Sequence, residues 1–277
     1  MKTIRNILQA LLLMQIVACS VIDEDERLIF VSHKEIETPD TTEDKFLTTV
    51  LVEDFTGQRC TWCPQGTLLL SEQMALFGAD RVIPVAIHSG PLGFAGTPTQ
   101  KGLMTTLGKY YWDQNGFTST TVQPTAVFNR RHTTDNRDEW SSIIYAELMR
   151  TATIKLSITP LCSADGTLTT EVVMSNQDAN EWQGKLQLWL TENDIVAMQI
   201  DNGVTKRDYV HNHVLREAIN GNDGEAVTIK TGEAAHTATF QIPADYKKEN
   251  CQVVAFVYNA NGVAAATVAN VQMAVAE

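Results

Sequence analysis

Beyond residue 18 the 277-residue chain has no run approaching the ~18 apolar residues that a membrane-spanning helix needs. Positive charge is scarce as well: 21 Lys and Arg face 33 Asp and Glu, for a formal net charge of −12. Such a surface repels nucleic-acid phosphates and anionic lipid headgroups, and no basic, aromatic-interleaved stripe offsets it. Internal repeats and low-complexity tracts are missing, which argues against a solenoid or a disordered chain. Cysteine is rare, at five residues, so each one carries information. What remains is a globular composition, 44% hydrophobic and 19% charged, long enough for two domains.

The N-terminus suggests a compartment. A short basic "MKTIRN" precedes the apolar "ILQALLLMQIVA", too short to span a bilayer and followed by Cys19. This is the layout of a secretory signal over residues 1–18. Ile16-Val17-Ala18-Cys19 resembles the lipobox of bacterial lipoproteins, which implies acylation of Cys19, palmitate among the chains, as the membrane anchor. At roughly 0.8 kcal/mol per buried CH₂, several acyl chains hold a body firmly. Ser20 rather than Asp after the cysteine resembles an outer-membrane destination, and "DEDER" loosely resembles a surface-export signal. Periplasmic and cell-surface orientations both stay open. Residues 19–45 read as an acidic, lipidated tether, with "RLIFVSH" able to add an edge strand.

Residues 46–152 alternate buried strands with helices. "FLTTVLVEDFT", "RVIPVAIH" and "TAVF" are strand-like; "CPQGTLLLSEQMALFG", "TQKGLMTTLGKYYWDQNG" and "NRDEWSSIIYAELMRTA" are helix-like. That alternation predicts a parallel-rich sheet flanked by helices. From residue 153 the runs become short and alternating ("TIKLSIT", "TLTTEVVMS", "KLQLWLTEN", "CQVVAFVYN"), which predicts a β-sandwich over 153–277.

Cys60 and Cys63 sit in "EDFTGQRCTWCPQG", between a buried strand and a helix. Half of a zinc site needs two more ligands, and no second pair or histidine set lies at zinc spacing. A purely structural staple would close a very small loop and constrain the unfolded chain little. A redox pair fits better. Cys60 at the helix N-terminus gains from the dipole and from Arg59, and Cys63, one turn inside, is the resolving thiol.

The stretch "VLVEDFTGQRCTWCP" resembles the strand, active-site loop and helix start of thioredoxin-like proteins. The resemblance implies that Asp54 is the buried acid handling the proton of Cys63. "VQPTAVF" resembles the loop in which a cis-proline faces the disulfide, which assigns that role to Pro124. Gln123, Thr125 and Trp62 then contact the partner's backbone. The inner Thr61-Trp62 and the preceding Arg59 depart from the usual thioredoxin residues. The longer spacing implies an insertion around "HSGPLGFAGTPTQ". His88, ending its strand near Cys60, is either an accessory proton carrier or a strand-end residue bonded to its loop.

Two further sets remain. His211 and His213 in "YVHNHVLREA" share a face if that segment is one strand, a packing pair rather than a metal site. Cys162 and Cys251 form an even pair in an oxidising compartment, candidates for a structural disulfide. "LTENDIVAMQ" and "YVHNHVLREAINGNDGE", together with the lipobox, resemble the Bacteroidetes outer-membrane lipoproteins of the twenty-eight-kilodalton type.

The fold expected is therefore an α/β thioredoxin-like domain followed by an all-β, Ig-like sandwich. Two functions stay open. One is thiol–disulfide exchange with protein thiols, needing no cofactor beyond the Cys60–Cys63 disulfide and the lipid on Cys19. The other is non-enzymatic, adhesin-like binding of a surface protein, with the first half as scaffold.

Overall fold

The computed structural model describes residues 46–274; the signal, Cys19 and the tether lie outside the described residues. Three strands and two helices open the chain: β1 (Val50–Thr56), α1 (Cys63–Phe77), β2 (Val82–His88), α2 (Thr106–Gln114) and β3 (Thr125–Phe128). A short β4 (His132–Thr134) and α3 (Trp140–Leu148) follow. After them come only strands and short turns: β5 (Ile154–Cys162), β6 (Thr167–Asn176), β7 (Trp182–Glu192), β8 (Ile195–Asp201), β9 (Val204–His211) and β10 (Val214–Ala218). The chain closes with β11 (Glu225–Ile229), β12 (Gly232–Gln241), β13 (Cys251–Asn259), β14 (Gly262–Asn270) and β15 (Gln272–Met273).

The strand partners correct the expected fold class. One nine-stranded sheet runs β14-β13-β7-β10-β2-β1-β3-β4, with β11 added beside β7. It draws strands from both sides of residue 152. The join is β10 against β2, where Val214 lies opposite Ala86 and the Ala86 N–H donates to the His213 carbonyl at 2.8 Å. Among the described residues no self-contained thioredoxin-like α/β domain separates out, and the fold is mostly β. The local pattern reveals strands but not their partners, because strand pairing is set by contacts distant in sequence.

Burial explains why the halves fuse. Every residue of β1 is buried, so both faces of the sheet must be covered. One face packs Val50, Val52, Val82 and Phe128 against Leu70 of α1 and Trp140 and Ile144 of α3. The other packs Leu51, Phe55, Ile83 and Ile87 against Tyr111 and Trp112 of α2, and also against Trp189, Leu215 and Phe256 from the later strands. A second sheet, β12-β6-β5-β15, lies face to face with the far end of the first in the manner of a β-sandwich. Leu156, Val172 and Met174 meet Leu186, Leu188 and Val257 between these layers. β8 and β9 form a separate two-stranded hairpin.

Arg130 clamps the join. Asn129 and Arg130 make the β3–β4 turn with φ of 46° and 53°, a left-handed backbone that Asn tolerates and Arg rarely adopts. The turn aims the Arg130 guanidinium over Tyr258 at 4.2 Å and Phe256 at 4.9 Å, with its Nε 2.7 Å from the buried Glu53 carboxylate. Removing one member of such a pair leaves a buried charge uncompensated. Arg130→Ala is therefore expected to lower stability at neutral pH by about 3 kcal/mol in urea unfolding. Adding Glu53→Gln should restore part of the loss; a double variant no better than the single one would refute the clamp.

Candidate functional site

β1 delivers the chain into a tight loop, Gly57–Trp62, before α1 begins at Cys63. Gly57 has no alternative there, because a Cβ would collide with the Leu92 carbonyl. α1 starts at Cys63 itself with Pro64 in its first turn, so Cys60 lies just ahead of the helix and Cys63 on its first residue. The two are joined as a disulfide with Cα atoms 5.4 Å apart. The Gln123–Pro124 peptide bond is cis, and the Cys60 sulfur lies 3.4 Å from the Gln123 carbonyl oxygen.

The sulfurs are covered: Cys60 and Cys63 are each 1% exposed. The cover is the β8–β9 hairpin, fastened by neutral side chains. Gln199 Nε2 donates to the Cys60 carbonyl at 2.9 Å and to the Gly57 carbonyl at 3.2 Å. Gln58 Nε2 donates to the Met198 carbonyl at 2.9 Å and its Oε1 accepts from the Leu103 N–H at 2.7 Å. The Ile200 N–H donates to the Gln58 carbonyl, and the Asn202 N–H to that of Thr61.

The partner-contact residues expected from the sequence divide. Gln123 and Thr125 are buried and spend their side chains internally: Gln123 Nε2 donates to the Ser89 carbonyl, its Oε1 accepts from the Leu92 N–H, and Thr125 Oγ1 donates to the Val122 carbonyl. Trp62 at 53% and Val122 at 57% are exposed and make an apolar rim beside the disulfide. The Arg59 guanidinium stacks 4.8 Å from the Phe94 ring.

Behind the disulfide lies a buried polar group. Asp54 is buried with one carboxylate oxygen lacking any hydrogen-bond partner, and burial pushes its carboxyl up to about 7. His88, opposite Thr56 on the neighbouring strand, packs edge-on to His211 with ring centres 5.2 Å apart. Burial, then the neighbouring His211 and Arg216, hold His88 well below the ordinary imidazole range; burial brings His211 down to about 4. A cavity of about 270 Å³ reaches Asp54 between α1 and β9, and a smaller one of about 20 Å³ is lined by Cys63, His88 and His211.

Two expectations change. His211 and His213 do not share one strand: β9 ends at His211, and His213, with φ 55°, turns the chain into β10. Cys162 and Cys251 are unbridged thiols in one apolar cluster, both pushed up in pKa by burial, Cys251 to about 12. They sit on strands of different sheets, β5 and β13. Sequence reading missed Gln58 and Gln199 altogether. The only hint was a glutamine two residues before the first cysteine of the pair.

The fold and site define a β-rich body with a capped disulfide loop. Residues 110–277 match the family described as outer membrane protein Omp28, and the chain belongs to that family. Membership places it at the outer membrane, as the lipoprotein resemblance implies. No helix of the described residues is long and apolar enough to cross a membrane. In fold, the chain resembles HBP35 of Porphyromonas gingivalis, with a TM-score of 0.65 at 16% identity over 83% of this chain and 77% of that one. A domain of the outer membrane lipoprotein Omp28 from Porphyromonas gingivalis aligns over 44% of this chain and 90% of that one, at 21% identity and a TM-score of 0.34. No curated protein matches the sequence.

Asp54 yields a prediction with a defined sign. Its folded pKa is raised, so its contribution to stability is intact below the unfolded value near 3.8 and is lost as pH rises through about 7. Asp54→Asn should therefore stabilise the protein at pH 8 by up to about 4 kcal/mol and change little at pH 4. Thermal unfolding at the two pH values checks this; equal effects at both would show that the carboxyl is not held neutral.

Proposed function

We propose that the chain is a lipid-anchored binding protein of the outer membrane whose disulfide loop serves as a rigid scaffold for a protein-contact surface. One observation carries this reading: both cysteines are buried in a loop that the β8–β9 hairpin grips by its backbone, while Trp62 next to Cys63 and Val122 next to Gln123 stay exposed. A sealed disulfide cannot be attacked without prior movement, whereas an exposed apolar rim loses free energy to water until a partner covers it. Acylation at Cys19, outside the described residues, supplies the anchor in this reading.

A second reading, thiol–disulfide exchange with envelope proteins, has its own support. Asp54 lies buried and unpaired behind the inner cysteine, and the cis Gln123–Pro124 bond faces the outer one. Exchange would require the hairpin to swing away, after which a partner thiolate attacks the Cys60 sulfur and the Cys60–Cys63 bond breaks with its electron pair on Cys63. A second partner thiolate then releases Cys60 as the partner leaves oxidised; the reduced pair runs the reverse, with Cys60 attacking a partner disulfide and Cys63 resolving the mixed disulfide.

Insulin reduction by dithiothreitol separates the two. The scaffold reading expects the wild type to be indistinguishable from buffer and a Cys60→Ser, Cys63→Ser variant to keep its fold by circular dichroism. Catalysed precipitation that disappears in Cys60→Ser would instead establish exchange, and Cys63→Ala should then accumulate mixed disulfides on non-reducing gels.

A further inference from the structure

The second sheet ends in β12, which pairs with β6 on one side only. That pairing holds one unbroken register, from Gly232 opposite Asn176 to Gln241 opposite Thr167. Along its other side the backbone of residues 232–241 has no hydrogen-bond partner among the described residues. An open row of N–H and C=O groups is a template for another strand.

The other strand edges are blunted. β4, β11 and β15 are three, five and two residues long. β14 gives part of its outer edge to the first half of the chain: the Ala266 N–H donates to Thr49 Oγ1 and the Val263 N–H to the Asn129 carbonyl. β5 is covered by β15 at one end only, and it carries Lys155 and Pro160. Shortness, cover, lysine and proline are the devices that stop strands from pairing between molecules. β12 has none of them. It is ten residues long, without proline, lysine, arginine or a bulge.

The occupant of such an edge must be an extended strand, and β12 fits a copy of itself. Ala234 and Ala238 turn into the sandwich core, and Phe240 packs beside Leu168 and Val253. His236 on the same face pairs with Glu225 of β11 at 3.4 Å. Glu233, Ala235, Thr237, Thr239 and Gln241 lie exposed on the opposite face. Two-fold pairing that keeps both inner faces on one side must oppose residues of like face. Two antiparallel registers then use nearly the whole strand. The one over residues 232–240 sets His236 against its own copy. The one over 233–241 puts Thr237 on the axis, Ala235 opposite Thr239, Ala234 opposite Phe240 and Glu233 opposite Gln241. Small then meets large on the inner face, and the acid meets a neutral amide. Charge points the same way. The chain carries −12 overall, so two copies repel over most of their surface, yet β12 holds a single acid.

We propose that β12 is a self-association surface on which two copies of this chain pair antiparallel about Thr237, joining their second sheets into one. The ladder is mainly backbone, so the dimer is weak and reversible and its register is sharply defined. It stands apart from the disulfide loop and needs neither reading of that loop.

The test uses the full chain in mild detergent with single cysteine replacements and a short bismaleimide. Cys60 and Cys63 are joined and Cys162 and Cys251 are buried, and the wild type fixes the background. Thr237→Cys should cross-link to its own copy. Glu233→Cys should not, because its copy lies roughly 27 Å away along the strand. An equal mixture of Glu233→Cys and Gln241→Cys should cross-link again. Thr237→Lys sets like charges on the axis and should lower the dimer fraction in sedimentation about tenfold, with circular dichroism confirming the fold. A wild type that sediments as a monomer up to its solubility limit would overturn the proposal. So would Glu233→Cys linking to itself as readily as Thr237→Cys, or a dimer that Thr237→Lys leaves unchanged.

Discussion

The structure depends on one strand contact. Where Ala86 meets Val214, a strand from the first third of the chain gains a parallel neighbour from the last third, and the sheet becomes continuous. β8 and β9 lie between β7 and β10 in sequence, and both of those strands sit in the central sheet. Their excursion must therefore leave the sheet beside the end of β2, next to His88 and the cysteine loop. The cap over the disulfide follows from that topology.

The same contact explains why the core is shared. Trp189 packs on Phe256 at 4.7 Å and on Tyr111 at 5.0 Å, and its indole N–H donates to the Tyr111 hydroxyl at 2.8 Å. An aromatic group from β7, one from β13 and one from α2 thus meet in one place. Residues on both sides of position 152 bury the same apolar surface, so neither half has a complete hydrophobic face of its own.

Sequence reading located what is local. Cys60, Cys63 and Asp54 fall within one short stretch, and their placement at the strand-to-helix turn could be read from hydrophobic runs and a following proline. In the second half it reached β5, β6, β7 and β13 for the same reason, and passed over β8 and β14. It failed where partners are remote: Gln199 grips Cys60 across 139 residues and Gln58 holds Met198 across 140, and no periodicity encodes either contact. The separate α/β domain was the costliest error. A run of strands and helices looks self-sufficient until the edge strand it leaves unpaired is given its neighbour. His211 was noticed, but as the companion of His213. The left-handed turn at His213 separates them and brings His211 to His88 instead.

The hairpin is fastened by Gln58, Gln199 and Asn202, whose amides carry no net charge. Counter-ions weaken attraction between separated charges but hardly touch a short, buried dipole-to-dipole bond. A body at the outer membrane meets swings in ionic strength that the cell interior does not. The grip of this cap should stay the same from dilute to briny surroundings.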